Sequence, residues 1–143
     1  MLHTITCITE DLETLIKDDP VRPEIPLTDR VNVNSRMYVL KNGDQTQAVT
    51  CVKFLSAIPA AVEDMAGIVE SATIAVFYTI WSYASGAGRT LIRETQQSIE
   101  TEFPGIDTYV TLSPKTEMAR RFHLNNGAQE LRENSTTINY IYK

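Results

Sequence analysis

The chain has 143 residues, the usual size of one domain and long enough to bury a core. Hydrophobic residues make up 43% and charged residues 22%, an ordinary globular composition that argues against disorder. Thirteen basic and eighteen acidic residues give a formal net charge of −5 with no Lys/Arg cluster to offset it, which disfavours nucleic acid and acidic membranes as partners.

Met1-Leu2-His3-Thr4 has no basic segment before an apolar run, so no signal peptide is expected. No apolar stretch approaches the roughly 20 residues of a membrane helix. Cys7 and Cys51 both fall in strand-like apolar stretches and are expected as free core thiols of a cytosolic protein. His3 and His123 lack partners at ligand spacing, so no metal is expected.

Leu2 to Ile8 alternates apolar and polar residues, as a half-buried strand does. Thr9, Glu10 and Asp11 can cap a short helix carrying Leu12, Leu15 and Ile16. Pro20, Pro23 and Pro26 predict an irregular loop from Asp18 to about Asp29. Met37–Leu40 and Ala48–Leu55 flank Lys41-Asn42-Gly43-Asp44, which predicts an antiparallel hairpin with a tight turn. Ser56 to Glu70 is ambiguous, although Pro59 could open a short helix through Ala61, Val62 and Met65.

Ala72 to Tyr83 is a long apolar and aromatic strand that runs into Ala84-Ser85-Gly86-Ala87-Gly88. A helix follows to Phe103, with Leu91, Ile92, Thr95, Ile99 and Phe103 on one face. Ile106 to Leu112 is the next strand. Ser113-Pro114 is expected to open a second helix that turns Met118, Ala119 and Phe122 to the core and ends at Asn126-Gly127. Ala128 to Leu131 and Thr136 to Tyr142 look like a final strand pair. The order predicts an α/β fold with helices covering a mixed sheet.

The turn at residues 84–89 is the feature that points to chemistry. The first N–H groups of a helix have no internal partner, and Gly86 and Gly88 would let an anion approach the backbone amides. Arg89 adds a cation at the rim. Gly at such a turn can also serve sterics alone. The sequence is neither a nucleotide-triphosphatase loop, since no Gly-Lys-Ser/Thr follows, nor a dinucleotide fingerprint, since the third Gly is missing.

Tyr83-Ala84-Ser85-Gly86-Ala87-Gly88 resembles the Arg/Gln-x-x-Gly-x-Gly/Ala loop of the GNAT (GCN5-related N-acetyltransferase) superfamily. Thr116 to Ala128 resembles its second signature, Asn-x-x-Ala-x-x-Leu/Phe-Tyr on a helix ending at Gly-Phe. The match covers about the last 75 residues. It implies one domain over residues 1–143 with a mostly antiparallel sheet, helices on both faces and a splayed strand that takes acetyl-CoA or another acyl-CoA as co-substrate.

The resemblance further implies that Val76, Phe77 and Tyr78 pair with the pantetheine arm. Ala84, Ser85, Gly86, Ala87, Gly88 and Arg89 would hold the pyrophosphate through main-chain amides. Tyr83 stands where Arg or Gln is usual, Thr116 where Asn is usual, and Ala128 where an aromatic follows Gly127. His123 occupies the position of a Tyr that protonates the leaving thiolate, and an imidazole with pKa about 6.5 suits that task. A surface histidine near a helix end is the other reading, and both stay open. Glu70, ahead of the long strand, is the named candidate for the general base, with Glu63 and Asp64 as other carboxylates in the ambiguous segment.

The function implied is acyl-CoA-dependent N-acyl transfer, by direct attack of an amine in a ternary complex. The acidic surface would tolerate a cationic acceptor. The alternative is a degenerate GNAT-like domain that serves as a CoA-binding or protein-interaction module. Thr136–Tyr142 could offer an edge to a second copy.

Overall fold

The computed structural model describes residues 1–143. In chain order the elements are β1 (Leu2–Ile5), α1 (Glu10–Ile16), α2 (Leu27–Arg30), β2 (Ser35–Asn42), β3 (Gln45–Leu55), a 3₁₀ turn (Val62–Met65), β4 (Ile74–Ser82), α3 (Ala87–Glu102), β5 (Thr108–Thr111), β6 (Ser113–Pro114), α4 (Glu117–Asn125), β7 (Gln129–Glu133) and β8 (Thr137–Tyr142). The sheet runs β1-β2-β3-β4-β5-β8-β6, with β7 also pairing β8. Every pairing is antiparallel except β4 with β5.

Two cores form on the two faces of the sheet. On one face Leu12, Ile16 and Leu27 from the N-terminal helices meet Val39, Val49, Val76 and Tyr78. On the other, Leu91, Ile92 and Ile99 of α3 meet Tyr38, Val52, Phe77 and Tyr140. The helical spacing of the α3 residues and the two-residue alternation along the strands produce this division. No helix is long and apolar enough to cross a membrane.

The β2–β3 hairpin closes at Asn42–Gln45 with Gly43 at φ +62°, the left-handed conformation that favours glycine. Further along β3 the register slips: Cys51 faces Thr79 and Val52 faces Phe77, which leaves Tyr78 as an extra residue on β4. Such a bulge bends its strand and re-aims the side chains beyond it. Tyr78 and Trp81 therefore belong to the α1-side core, and the Thr79 hydroxyl, also on that side, donates to Asp19 at 2.6 Å.

Asp19 and Arg30 form an ion pair at 2.7 Å, and both side chains are fully buried. Arg30 also donates to the carbonyls of Ile25 and Arg22 and to the Cys51 sulfur. Burial acts to raise the Asp19 pKa, but bonds from the Arg22 N–H, the Thr79 hydroxyl, Arg30 and the Val21 N–H outweigh it and hold the carboxyl below its ordinary value. This network organises the segment expected as an irregular loop, where α2 forms as one short helix.

Several other expectations are corrected. The first strand ends at Ile5, and Cys7 beyond it is exposed while Cys51 is buried. Ser113-Pro114 pairs with Ile138 and Thr137 as strand, so the last helix begins at Glu117. Met118 is 83% exposed, and the residue α4 buries is His123. Thr137–Tyr142 is not an edge, because β8 lies between β5/β6 and β7 and its backbone is paired on both sides.

Replacing Asp19 by Asn leaves Arg30 buried without its counter-charge and is expected to cost about 3–5 kcal/mol in urea unfolding at pH 7. The folded pKa of Asp19 lies below the unfolded value of about 3.9, so its contribution is present above that pH and lost as pH falls through the folded value. The gap between wild type and Asp19→Asn is therefore expected to narrow below about pH 4.

Candidate functional site

The site begins where β4 and β5 part. Their parallel pairing runs from Ile74–Thr108 to Phe77–Thr111 and ends with the Leu112 N–H donating to the Phe77 carbonyl at 3.1 Å. Beyond Phe77, β4 continues to Ser82 with β3 as its only partner. The free edge of β4 is thus Tyr78 to Ser82. Val76 and Phe77, expected there, are within the stretch paired with β5.

Side chains hold β5 away. Val110–Ile141 and Ser113–Ile138 share one register with β8, but between them the ladder is replaced. The Tyr140 N–H donates to the Thr111 hydroxyl at 3.1 Å, and Asn139 Nδ2 donates to the Thr111 carbonyl at 2.8 Å. Asn139 Nδ2 also reaches the Pro59 carbonyl, and the Thr137 hydroxyl the Ala60 carbonyl, which fastens that connection to β8. On the α1 side, the Asp19–Arg22 segment bridges the parting: Asp19 accepts from Thr79 of β4, and Arg22 Nη2 donates to the Leu112 carbonyl at 3.1 Å. None of these polar groups stood out in the sequence, because their partners lie 28 to 90 residues away.

The loop after β4 has the donors that an anion needs. Gly86 caps α3 at φ +78°, and the N–H groups of Ser85, Gly86, Gly88 and Arg89 have no partner within the chain. These four amides precede or open a sixteen-residue helix, whose dipole adds partial positive charge. A pyrophosphate fits this donor set. Ala84 and Ala87 keep the loop compact, and the Ala87 N–H closes a turn onto the Ala84 carbonyl at 3.2 Å.

The neighbouring residues have structural tasks that differ from those expected. A Cβ on Gly88 would stand 2.6 Å from Phe122 Cε1, so this glycine lets α3 start against α4. Arg89 donates to the Asn125 carbonyl at 3.1 Å, near the end of α4. The Tyr83 hydroxyl donates to Asp18 at 2.7 Å and accepts from Trp81 Nε1 at 2.9 Å, tying the end of β4 to the segment after α1. Thr116 is the N-cap of α4, its hydroxyl accepting from the Ala119 N–H at 3.2 Å.

His123 is 5% exposed, shares a 2.7 Å hydrogen bond with the Tyr142 hydroxyl and stacks on Tyr140. Burial pushes its pKa down to about 4, so the imidazole is neutral at pH 7. This is neither the surface histidine nor the accessible proton donor considered from the sequence. Glu70 is exposed in the connection ahead of β4, at the end of that strand opposite the loop. Asp64 accepts from the Ala60 and Ala61 N–H groups, and Glu63 is exposed in the 3₁₀ turn. Burial pushes the Cys51 thiol up to about 11, which keeps it out of the thiolate form. A cleft of about 400 Å³ beside α1 is lined in part by Asp11, Asp18, Asp44 and Tyr83.

Comparison with known proteins supplies the fold. No protein-family profile matches this sequence, and no curated protein matches it in sequence. Among solved structures, the PaiA N-acetyltransferase of Thermoplasma acidophilum in complex with coenzyme A superposes at TM-score 0.67 and 14% identity, over 100% of this chain and 99% of that one. The N-acetyltransferase YhhK of E. coli bound to coenzyme A gives 0.64 and 13%, over 99% and 98%. The fold is that of the GNAT acetyltransferases. A malonyl-CoA decarboxylase of Agrobacterium vitis shares it at TM-score 0.83 and 20% identity, over 100% of this chain and 60% of that one. The chain thus spans about 60% of the length of the decarboxylases it matches.

Two measurements check this description. Gly88→Ala is expected to lower stability by about 1–3 kcal/mol through the clash with Phe122, and Phe122→Leu in the same chain to recover part of it in thermal unfolding. Because the folded pKa of His123 is depressed, its contribution is complete above the unfolded value of about 6.5 and lost as pH falls toward the folded value. Stability is expected to fall across that window in the wild type and less so in His123→Gln.

Proposed function

We propose that residues 1–143 form one domain that binds an acyl-CoA along the free edge of β4 and acts on its thioester by N-acyl transfer. The observation that carries this reading is the coincidence of a strand edge without a partner, Tyr78 to Ser82, with four uncommitted amides at the start of α3. A pantetheine arm would add to that edge as an extra strand, and the pyrophosphate would take the amides. An oxyanion-type role falls to a backbone N–H near the Tyr78 bulge, where β4 bends.

In this reaction the amine nitrogen attacks the thioester carbonyl, the carbon–sulfur bond breaks, and coenzyme A departs as a thiolate that takes up a proton. No covalent enzyme intermediate is needed, in keeping with the protonated Cys51. The acidic cleft beside α1 suits a cationic amine. The neutral, enclosed His123 supports a role in holding α4 to β8 rather than in proton transfer, and the exposed Glu70 lies too far along β4 to favour it as the base.

Decarboxylation of malonyl-CoA is the second reading, favoured by the higher TM-scores of the decarboxylases, 0.83 against 0.67. A binding module without catalysis is the third.

One assay separates them. The protein is incubated with acetyl-CoA and a panel of amines, and separately with malonyl-CoA alone, and products are followed by mass spectrometry. Free coenzyme A that appears only with an amine is the expected result for N-acyl transfer. Acetyl-CoA formed from malonyl-CoA without an acceptor would replace it with decarboxylation, and binding without turnover would leave the module.

A further inference from the structure

Arg22 stands where the two strands part. Its backbone N–H donates at 3.0 Å to Asp19 Oδ1, the oxygen that also takes the Thr79 hydroxyl of β4. Its Nη2 donates to the Leu112 carbonyl just after β5, and the Leu112 N–H in turn reaches Phe77. Arg22 is thereby tied to both sides of the opening, through its main chain toward β4 and through its half-buried guanidinium to the end of β5.

The chain gives this cation no counter-ion. Its three ion pairs are Arg30–Asp19, Lys115–Glu133 and Arg121–Glu117. Asp19 is committed to Arg30 through Oδ2, and Glu24, Asp19 and Glu63 act on the Arg22 guanidinium only through space. Arg22 Nε is buried with no acceptor, and its side chain makes one hydrogen bond in all. A guanidinium is built to hold a carboxylate through two parallel N–H bonds, and leaving such donors buried and unused is unfavourable.

We infer that Arg22 anchors a carboxylate at the end of the acyl group, so that the site takes the coenzyme A thioester of a dicarboxylic acid. This rests on the acyl-CoA reading above. It deepens that reading by assigning the acyl class, which the loop and the strand edge leave open. An acyl group without the second carboxylate would leave the Arg22 donors as they are.

The test uses coenzyme A and two of its thioethers, S-(2-carboxyethyl)-CoA and S-propyl-CoA, none of which can turn over, titrated calorimetrically into wild type, Arg22→Gln and Arg22→Lys. The carboxylate analogue is expected to bind wild type about tenfold or more tightly than the propyl analogue. Arg22→Gln is expected to bring the two within about twofold, and Arg22→Lys, which keeps the charge but not the fork, to fall between. Equal binding of the two analogues by wild type would overturn the inference, as would a preference that survives Arg22→Gln. If Arg22→Gln does not fold, the wild-type preference and Arg22→Lys decide the matter. Failure of all three ligands to bind would bring down the acyl-CoA reading itself.

Discussion

β4 and β5 begin as neighbours and cannot stay so, and most of what is distinctive in this protein follows from that separation. A strand that loses its partner exposes a row of donors and acceptors that must be satisfied elsewhere. Here the separation is maintained from both strands. Thr111 and Asn139 replace backbone bonds between β5 and β8, while the Tyr78 bulge bends β4 where its pairing with β5 ends. Asp19 and Arg22 then hold the two rims at a fixed spacing. The opening is a constructed feature, supported from beneath by the buried Asp19–Arg30 pair.

That support is expensive in desolvation. Buried ion pairs seldom stabilise a fold as well as apolar residues of the same size. Arg30 is nevertheless satisfied by a carboxylate, two carbonyls and a thiol, so the cost is limited and the geometry is well defined. The contrast with Arg22 is instructive. Two arginines eight residues apart share one segment, and only the deeper one has its charge neutralised within the chain.

Residues around the loop between β4 and α3 divide into two kinds. The backbone amides of Ser85, Gly86, Gly88 and Arg89 remain available, whereas the side chains of Tyr83, Arg89 and Thr116 are engaged in ties between elements. Variation at these side-chain positions therefore leaves the amide donors in place. His123 follows the same logic, since its ring fills the space between α4 and β8 and closes the Tyr142 hydroxyl bond.

The hairpin turn at Gly43, the amphipathic face of α3, the apolar β4 and the glycine-bearing loop were all legible in the sequence. Each is set by residues close together in the chain, through turn geometry, helical period or strand alternation. The α/β class, with helices covering a mixed sheet, followed from their order, and the GNAT resemblance implied helices on both faces. What the sequence could not disclose were relations over long separations: Asp19 with Arg30 and Thr79, Arg22 with Leu112, Thr111 with Asn139. A charged residue in a proline-rich loop looks solvated until the chain folds over it. Burial of His123 was hidden for a related reason, because helical period assigns a stripe to the core but does not say which edge of the stripe the neighbouring strand will cover. Local residues determined the elements and the uncommitted amides at the start of α3, and only tertiary packing decided which charges were buried and which were paired within the chain.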